Sequence, residues 1–355
     1  MNSRSNNHFD FLRFVAASLV LFSHAFTLAQ GSYVGEPLFA LAHGKDSLGE
    51  CAVAAFFIMS GFLIAASWHS KLRLKPFFAA RAARIFPGLI VMLLAVYLAG
   101  AFFSDKPSID YLIATPRDVF AGLFLHGRFE LTAAVFAHNP YPLALNGSLW
   151  TLRYEVLCYL MLGFLGWARV LRRAWVWLLW LAMLLLCVSA GEFDLVIGAR
   201  PLFSLTVWFV SGMLVYLHAA QTPSARALAV GTVAVLALLF AGASPLLMSP
   251  LVAWVLLGWA NRGGPLAGFG KFGDFSYGIY IYAFPIEQLV VYLLKSASLP
   301  CTWWMCCLLS FPLTLLCAVL SWHGVEKRAL AYVHKVPGKV AKAAELPNAI
   351  EELVK

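Results

Sequence analysis

Arg13 and His24 stand eleven positions apart inside one apolar run, Phe11 to Ala29, and are the first residues of this chain that could do chemistry. On a helix rising about 1.5 Å per residue they lie roughly 16 Å apart, about half of a ~30 Å hydrocarbon core. Ionisable groups at bilayer depth are costly, so they line a protein interior or a watery cavity and mark a site. Arg13 near an interface can also simply extend its guanidinium to water. Glu155 enters a later run from the opposite side. His24 lies roughly 20 Å from the inner edge of the core and Glu155 roughly 21 Å, so the two share a depth. A carboxylate bonded to an imidazole fixes its tautomer and raises its basicity, which is what a general base needs. Glu50, near the outer end of the second run, is a third acid close to the interface.

At the other face Arg81 and Arg84 are three apart and project from one side of a helix. With Lys75 and Arg13 they make a cationic patch suited to phosphate, because guanidinium forks bind phosphate oxygens in pairs. Basic residues here are equally what an inner loop of any membrane protein carries. Asn146, Ser148 and Trp150 open the fourth run, where an N-cap and an interfacial tryptophan also serve structural ends. Together with Tyr154, and with Tyr277 among the tyrosines of the ninth run, they are the candidates for substrate contact. The nine histidines and seven cysteines show no metal-ligand spacing, so no metal is expected.

Ten apolar runs must position these residues: 11–29, 47–68, 85–103, 148–167, 175–190, 201–219, 227–241, 245–260, 275–294 and 303–322. The segment between the second and third runs holds Lys71, Arg73, Lys75, Arg81 and Arg84 with no acid, which makes it cytoplasmic by the positive-inside rule. Arg169, Arg172 and Arg173 after the fourth run and the lysines after the tenth follow the same rule. The expected fold is therefore all-α and polytopic, with about ten transmembrane helices and both termini cytoplasmic. Residues 1–330 form the membrane domain and 331–355 a cytoplasmic tail. The long connection from Ser104 to Gly147 lies outside, contains a short helix over Val119 to Leu125, and is where an acceptor would be met.

At 61% hydrophobic and 12% charged residues the chain is far from a soluble balance. The lipid bilayer is its first partner. The formal charge of +9 falls in short clusters between apolar runs and not on a continuous polar face, which excludes nucleic acid as the expected partner. The oligomeric state is not legible. The first run lacks a cleavage site and is expected to remain as a spanning helix.

Five segments in order carry a resemblance: FDFLRFVAASLVLFSH at Phe9 to His24, FFIMSGFLI at Phe56 to Ile64, RAARIFPG at Arg81 to Gly88, NGSLWTLRYE at Asn146 to Glu155, and FSYGIYIY at Phe275 to Tyr282. In these the sequence resembles the acyltransferase family 3 integral membrane proteins. The resemblance implies a ten-helix fold in the bacterial inner membrane, an acyl-CoA donor (acetyl-CoA foremost) on the cytoplasmic side, and transfer to a hydroxyl of a glycan or lipid-linked saccharide. It places the family's Arg-x10-His element on Arg13 and His24 and its Arg-x-x-Arg element on Arg81 and Arg84. Many members have a histidine after the late tyrosine-rich stretch. This chain reads Tyr282, Ala283, Phe284, Pro285, so another group fills that role or it is absent. Some members carry a fused extracytoplasmic domain; this one is expected to finish the transfer itself or with a partner.

The mechanism expected is that Arg81, Arg84 and Arg13 hold the coenzyme A phosphates, while His24, oriented by Glu155, acts as general base or carries the acyl group. Transfer of succinyl or another acyl group on the same fold is one alternative. A proton-coupled transporter or flippase using His24 and Glu155 as a relay is the other.

Overall fold

The computed structural model describes residues 7–42, 44–125, 129–130, 135–142, 144–193, 199–218 and 222–335. The order is α1 (Phe9–Gln30), α2 (Pro37–Leu41), α3 (Leu48–Lys71), α4 (Leu74–Gly100), α5 (Ser108–Ala114) and α6 (Pro116–Leu123). Strands β1 (Phe129–Glu130) and β2 (Ala144–Asn146) pair antiparallel, and a 3-10 turn (Gly147–Thr151) leads into α7 (Leu152–Trp167). Then come α8 (Arg173–Phe193), α9 (Ala199–His218), α10 (Ala225–Phe240), α11 (Ser249–Ala260), α12 (Ser276–Ser296), α13 (Trp303–Ser321) and α14 (Lys327–Lys335). Among the described residues, seven helices are long and apolar enough to cross a membrane: α1, α3, α4, α8, α9, α12 and the continuous α13–α14 stretch. Helices α10 and α11 are apolar but shorter, and α7 has 16 residues. Each of the ten expected runs contains a helix, and the count of full spans that length supports is seven. Of the expected tail, α14 is described; residues 336–355 lie outside the described residues.

The third run begins earlier than the hydropathy suggested. Helix α4 starts at Leu74, so Arg81 and Arg84 stand inside a helix and the turn before it is only Leu72 and Arg73. Pro76 falls in the first turn, where a missing N–H costs nothing, and Ala79, Ala80, Ala82 and Ala83 are strong helix formers. The connection from Ser104 to Gly147 likewise holds two short helices, α5 and α6, where one at Val119 to Leu125 was expected.

The chain divides into two compact units. The first comprises Met1–Phe56, Arg84–Arg153 and Gly263–Arg328; its centre is α1, α12 and α13, each packed on the other two. Helix α12 is buried on every side, as its unbroken run of buried residues from Ser276 to Pro285 shows. Its loop-side face is fixed by polar groups. Asn139 donates to the Gln288 carbonyl (2.9 Å) and side chain (2.8 Å), and Gln288 donates to the carbonyls of Tyr141 and Ala144. Helix α1 has Asp10 in its first turn and ends at Gly31, whose φ of 77° is the left-handed conformation a glycine adopts without strain.

Glu36, wholly buried, joins two helices of the first unit: its carboxylate accepts from the backbone N–H of Phe39 (2.6 Å) at the start of α2 and of Leu48 (2.7 Å) at the start of α3. Both are charge-assisted bonds to otherwise orphaned helix N–H groups. Glu36→Ala should therefore lower stability by about 2–3 kcal/mol, read as a fall in the thermal midpoint of the purified protein.

The second unit comprises Phe57–Ala83, Tyr154–Arg262 and Ala329–Lys355, with α8 packed on α9 and α9 on α11. Here α3 and α9 touch backbone to backbone. A Cβ on Gly61 would collide with the Phe209 carbonyl, and one on Gly212 with the Ile58 carbonyl. Small residues that let helices approach are the usual device of membrane packing.

Candidate active site

In the first unit α1 carries Arg13 and His24 on one rigid element, as the sequence required. Arg13 meets Asp274, the residue two before α12, with its Nη1 2.8 Å from Oδ2. Arg84 Nη2 reaches the same oxygen at 2.6 Å. The other carboxylate oxygen of Asp274 accepts from the Ser276 hydroxyl (2.5 Å) and backbone N–H (3.3 Å), which pins it to the head of α12. Arg84 also lies 4.0 Å from Glu326, over the rings of Tyr277 (5.7 Å) and Trp322 (5.8 Å). Glu326 is anchored by the Ser321 hydroxyl at 2.7 Å. One acid thus ties together α1, α4 and α12, while Glu326 adds the end of α13. Burial would raise the Asp274 carboxyl, but Arg13 and then Arg84, with the two bonds from Ser276, outweigh it and hold it at about 2.

Arg13 and Arg84 come together on Asp274. Arg81, in the second unit, bonds the Ser67 hydroxyl (3.3 Å) and lies over the Phe77 ring (5.7 Å). Lys75 is exposed near the start of α4. Sequence reasoning missed Asp274 and Glu326. The signal for Asp274 was a lone acid between Arg262, Lys271 and the ninth run.

His24 is half-buried in the body of α1, its ring edge against Phe284 of α12 at 5.3 Å between centroids. Its Nδ1 is buried and has no hydrogen-bond partner among the described residues. Glu155, in the second unit, accepts from the Ser60 hydroxyl (3.3 Å) and from the Tyr159 hydroxyl. Equal depth on two helices does not decide which faces they present.

Of the candidates for substrate contact, Asn146 is fully buried, accepts from Ser148 N–H (3.1 Å) and donates to the Ile281 carbonyl (2.8 Å), so it caps the 3-10 turn and ties it to α12. Ser148 is buried and its carbonyl accepts from Tyr280 (2.8 Å). Tyr277 is buried and donates to the Ile85 carbonyl at 2.7 Å. Trp150 is half-buried, and Tyr154, in the second unit, is buried. Among the described residues no His, Cys, Asp and Glu group could hold a metal ion.

Comparison with known proteins fits this arrangement. Residues 6–323 match the acyltransferase domain of acyltransferase family 3. A protein of Shigella phage Sf6 named O-acetyl transferase is 32% identical over 338 residues, 92% of this chain and 96% of its own length. Nodulation protein 10 of Rhizobium leguminosarum bv. viciae is 30% identical over 361 residues, 93% and 94% of the two chains. No solved structure matches. With the family's domain over nearly its whole length and several helices fit to span a bilayer, the chain belongs to acyltransferase family 3 and is a multi-pass membrane protein with an O-acyltransferase domain.

Proposed function

We propose that this protein moves an acetyl group from cytoplasmic acetyl-CoA to a hydroxyl of a cell-surface glycan or lipid-linked sugar, with His24 as general base. The observation that carries the reading is an imidazole with a buried, unbonded Nδ1 in the body of the helix whose other end holds Arg13 on Asp274. A base needs a fixed ring with an available lone pair; a rigid helix supplies the fixing, and with Nδ1 buried the lone pair offered is that of Nε2. The Shigella phage relative named O-acetyl transferase supports acetyl as the group. In this reading the chain crosses the inner membrane ten times with both ends in the cytoplasm, as its basic inner segments favour.

Donor binding falls to the basic residues of α1 and α4. Asp274 engages one Nη of Arg13, and a guanidinium has five N–H donors, so Arg13 keeps donors for a phosphate. Arg84, Arg81 and Lys75 supply the remaining positive charge. The acceptor is met from the outer side. Labelled acetyl from acetyl-CoA, incubated with native membranes with and without this chain, should enter the glycan or lipid-linked saccharide fraction only when the chain is present. Absence of label from every fraction with correctly inserted protein would remove acetyl-CoA as donor. Arg81→Ala should raise KM for acetyl-CoA about tenfold with kcat little changed, as expected for lost ground-state binding. An unchanged donor dependence would return Arg81 to a packing and topology role.

A further inference from the structure

Two apolar clusters fix the register of α1, α12 and α13. Ala17, Ile279 and Ala318 pack together at one level. Ala25, Leu28, Phe284, Val291 and Cys306 pack together at another. From the first cluster to the second, residue numbers rise along α1 and α12 and fall along α13, so α1 and α12 run parallel and α13 antiparallel to both. Seven residues on from Ala17 is His24, eight on from Ile279 is Glu287, and eight back from Ala318 is Ser310. At about 1.5 Å per residue these three sit within about 2 Å of one another in height.

Their directions agree as well. At about 100° per residue, His24 lies about 20° from Ala17 and about 40° from Leu28 around α1. Glu287 falls between Ile279 and Phe284, about 80° from one and about 60° from the other. Ser310 and Thr314 fall between Cys306 and Ala318. The apolar residues that flank each of these polar ones are those that pack the three helices together. A polar layer is thus set into the apolar packing of a single seam, all within the first unit.

Every member of the layer has an unanswered polar atom. His24 Nδ1, both carboxylate oxygens of Glu287, Ser310 Oγ and Thr314 Oγ1 are buried with no hydrogen-bond partner among the described residues. Glu287, Ser310 and Thr314 are wholly inaccessible. An unpartnered buried carboxyl is among the most destabilising groups a core can hold, which points to a use for it.

We propose that Glu287 is the acid that serves His24: a positioning residue that holds the imidazole with its proton on Nδ1, through one bridging water or a small rotation of either side chain. This rests on His24 being the base. With Nδ1–H directed to Glu287, the Nε2 lone pair is presented to the acceptor hydroxyl. As that oxygen bonds to the thioester carbonyl carbon, its proton passes to Nε2. The C–S bond then breaks and the sulfur takes the proton back from Nε2, leaving ester and free thiol with no net proton released. Glu287 offsets the charge of the imidazolium in between. Ser310 and Thr314 supply hydroxyls to the same layer. The titratable groups near Glu287 are the thiols of Cys306 and Cys307 on α13, to which the helix register adds His24 from α1.

The test compares full-length wild type, His24→Ala, Glu287→Gln and Glu287→Asp in acetyl transfer from acetyl-CoA in native membranes. Glu287→Gln preserves volume and removes the acid. Its kcat should fall about 10- to 100-fold with KM for acetyl-CoA within about twofold. The acid limb of its kcat–pH profile should move to lower pH, because an amide no longer favours the imidazolium, and Glu287→Asp should recover part of the rate. An inactive His24→Ala beside a Glu287→Gln with wild-type kcat and pH profile overturns the role of Glu287 alone. A His24→Ala that keeps most activity overturns the base and Glu287 with it. If Glu287→Gln loses rate only in proportion to folded protein, kcat per folded molecule being unchanged, the role is overturned as well.

Discussion

Acetyl transfer by His24→Ala should fall about 10²- to 10⁴-fold, the range a positioned general base contributes. The loss should lie in kcat, because in the proposed mechanism the imidazole acts on the proton of the reacting hydroxyl and not on the bound donor. The variant should remain folded. The side chain is half-buried, its Nδ1 has no hydrogen-bond partner among the described residues, and its ring edge packs on Phe284, so truncation chiefly removes one aromatic contact. Initial rates with labelled acetyl-CoA, set beside the thermal midpoint of the same preparation, separate the two effects. A folded His24→Ala enzyme with most of its rate would exclude the imidazole from the chemistry.

Loss of the Asp274 carboxylate is the second large effect, and it acts on the frame that holds the site. Two guanidiniums share its Oδ2 at 2.8 and 2.6 Å, with side-chain exposures of 25% for Arg13, 17% for Arg84 and 15% for Asp274. Removing one partner of such a pair leaves uncompensated charge in a poorly solvated place. Asp274→Asn should therefore destabilise the protein by about 3 kcal/mol. The pH dependence has a definite sign. The folded carboxyl is depressed from its ordinary 3.8 to about 2, so its stabilisation is complete above about pH 4 and is lost as the pH falls through about 2. From neutral pH down to about 5 the clamp is constant. Thermal midpoints measured across that acid range should fall more steeply for wild type than for Asp274→Asn, and equal slopes would show that the clamp contributes nothing.

The site residues were unequally legible. Arg13 and His24 stand out because charge in an apolar run is rare whatever surrounds it. Depth along the membrane then selected Glu155 as the partner of His24, yet the same argument had a second solution. Glu287 lies in the ninth run, and the helix register places it at the level of His24. The pair Arg81 and Arg84 is expected to act as one patch because a spacing of three puts residues on one helix face. In the structure the first bonds Ser67 and the second Asp274, since a helix face about 60° wide at that spacing meets more than one neighbour.

By itself the sequence determined that this is a mainly helical membrane protein of acyltransferase family 3, where nine of its helices begin to within a few residues, and that α1 carries both Arg13 and His24. Those features rest on local quantities: hydropathy, helix periodicity, capping residues and contiguous motifs. Only the tertiary structure decided that α4 begins at Leu74, that Asp274 gathers Arg13 and Arg84, and that Asn146 and Tyr277 are spent on backbone carbonyls of Ile281 and Ile85. The physical reason is that a run of residues fixes a helix and its depth but not its rotation or its neighbours. Those follow from side-chain packing between segments as distant in sequence as Arg13 and Asp274, 261 positions apart.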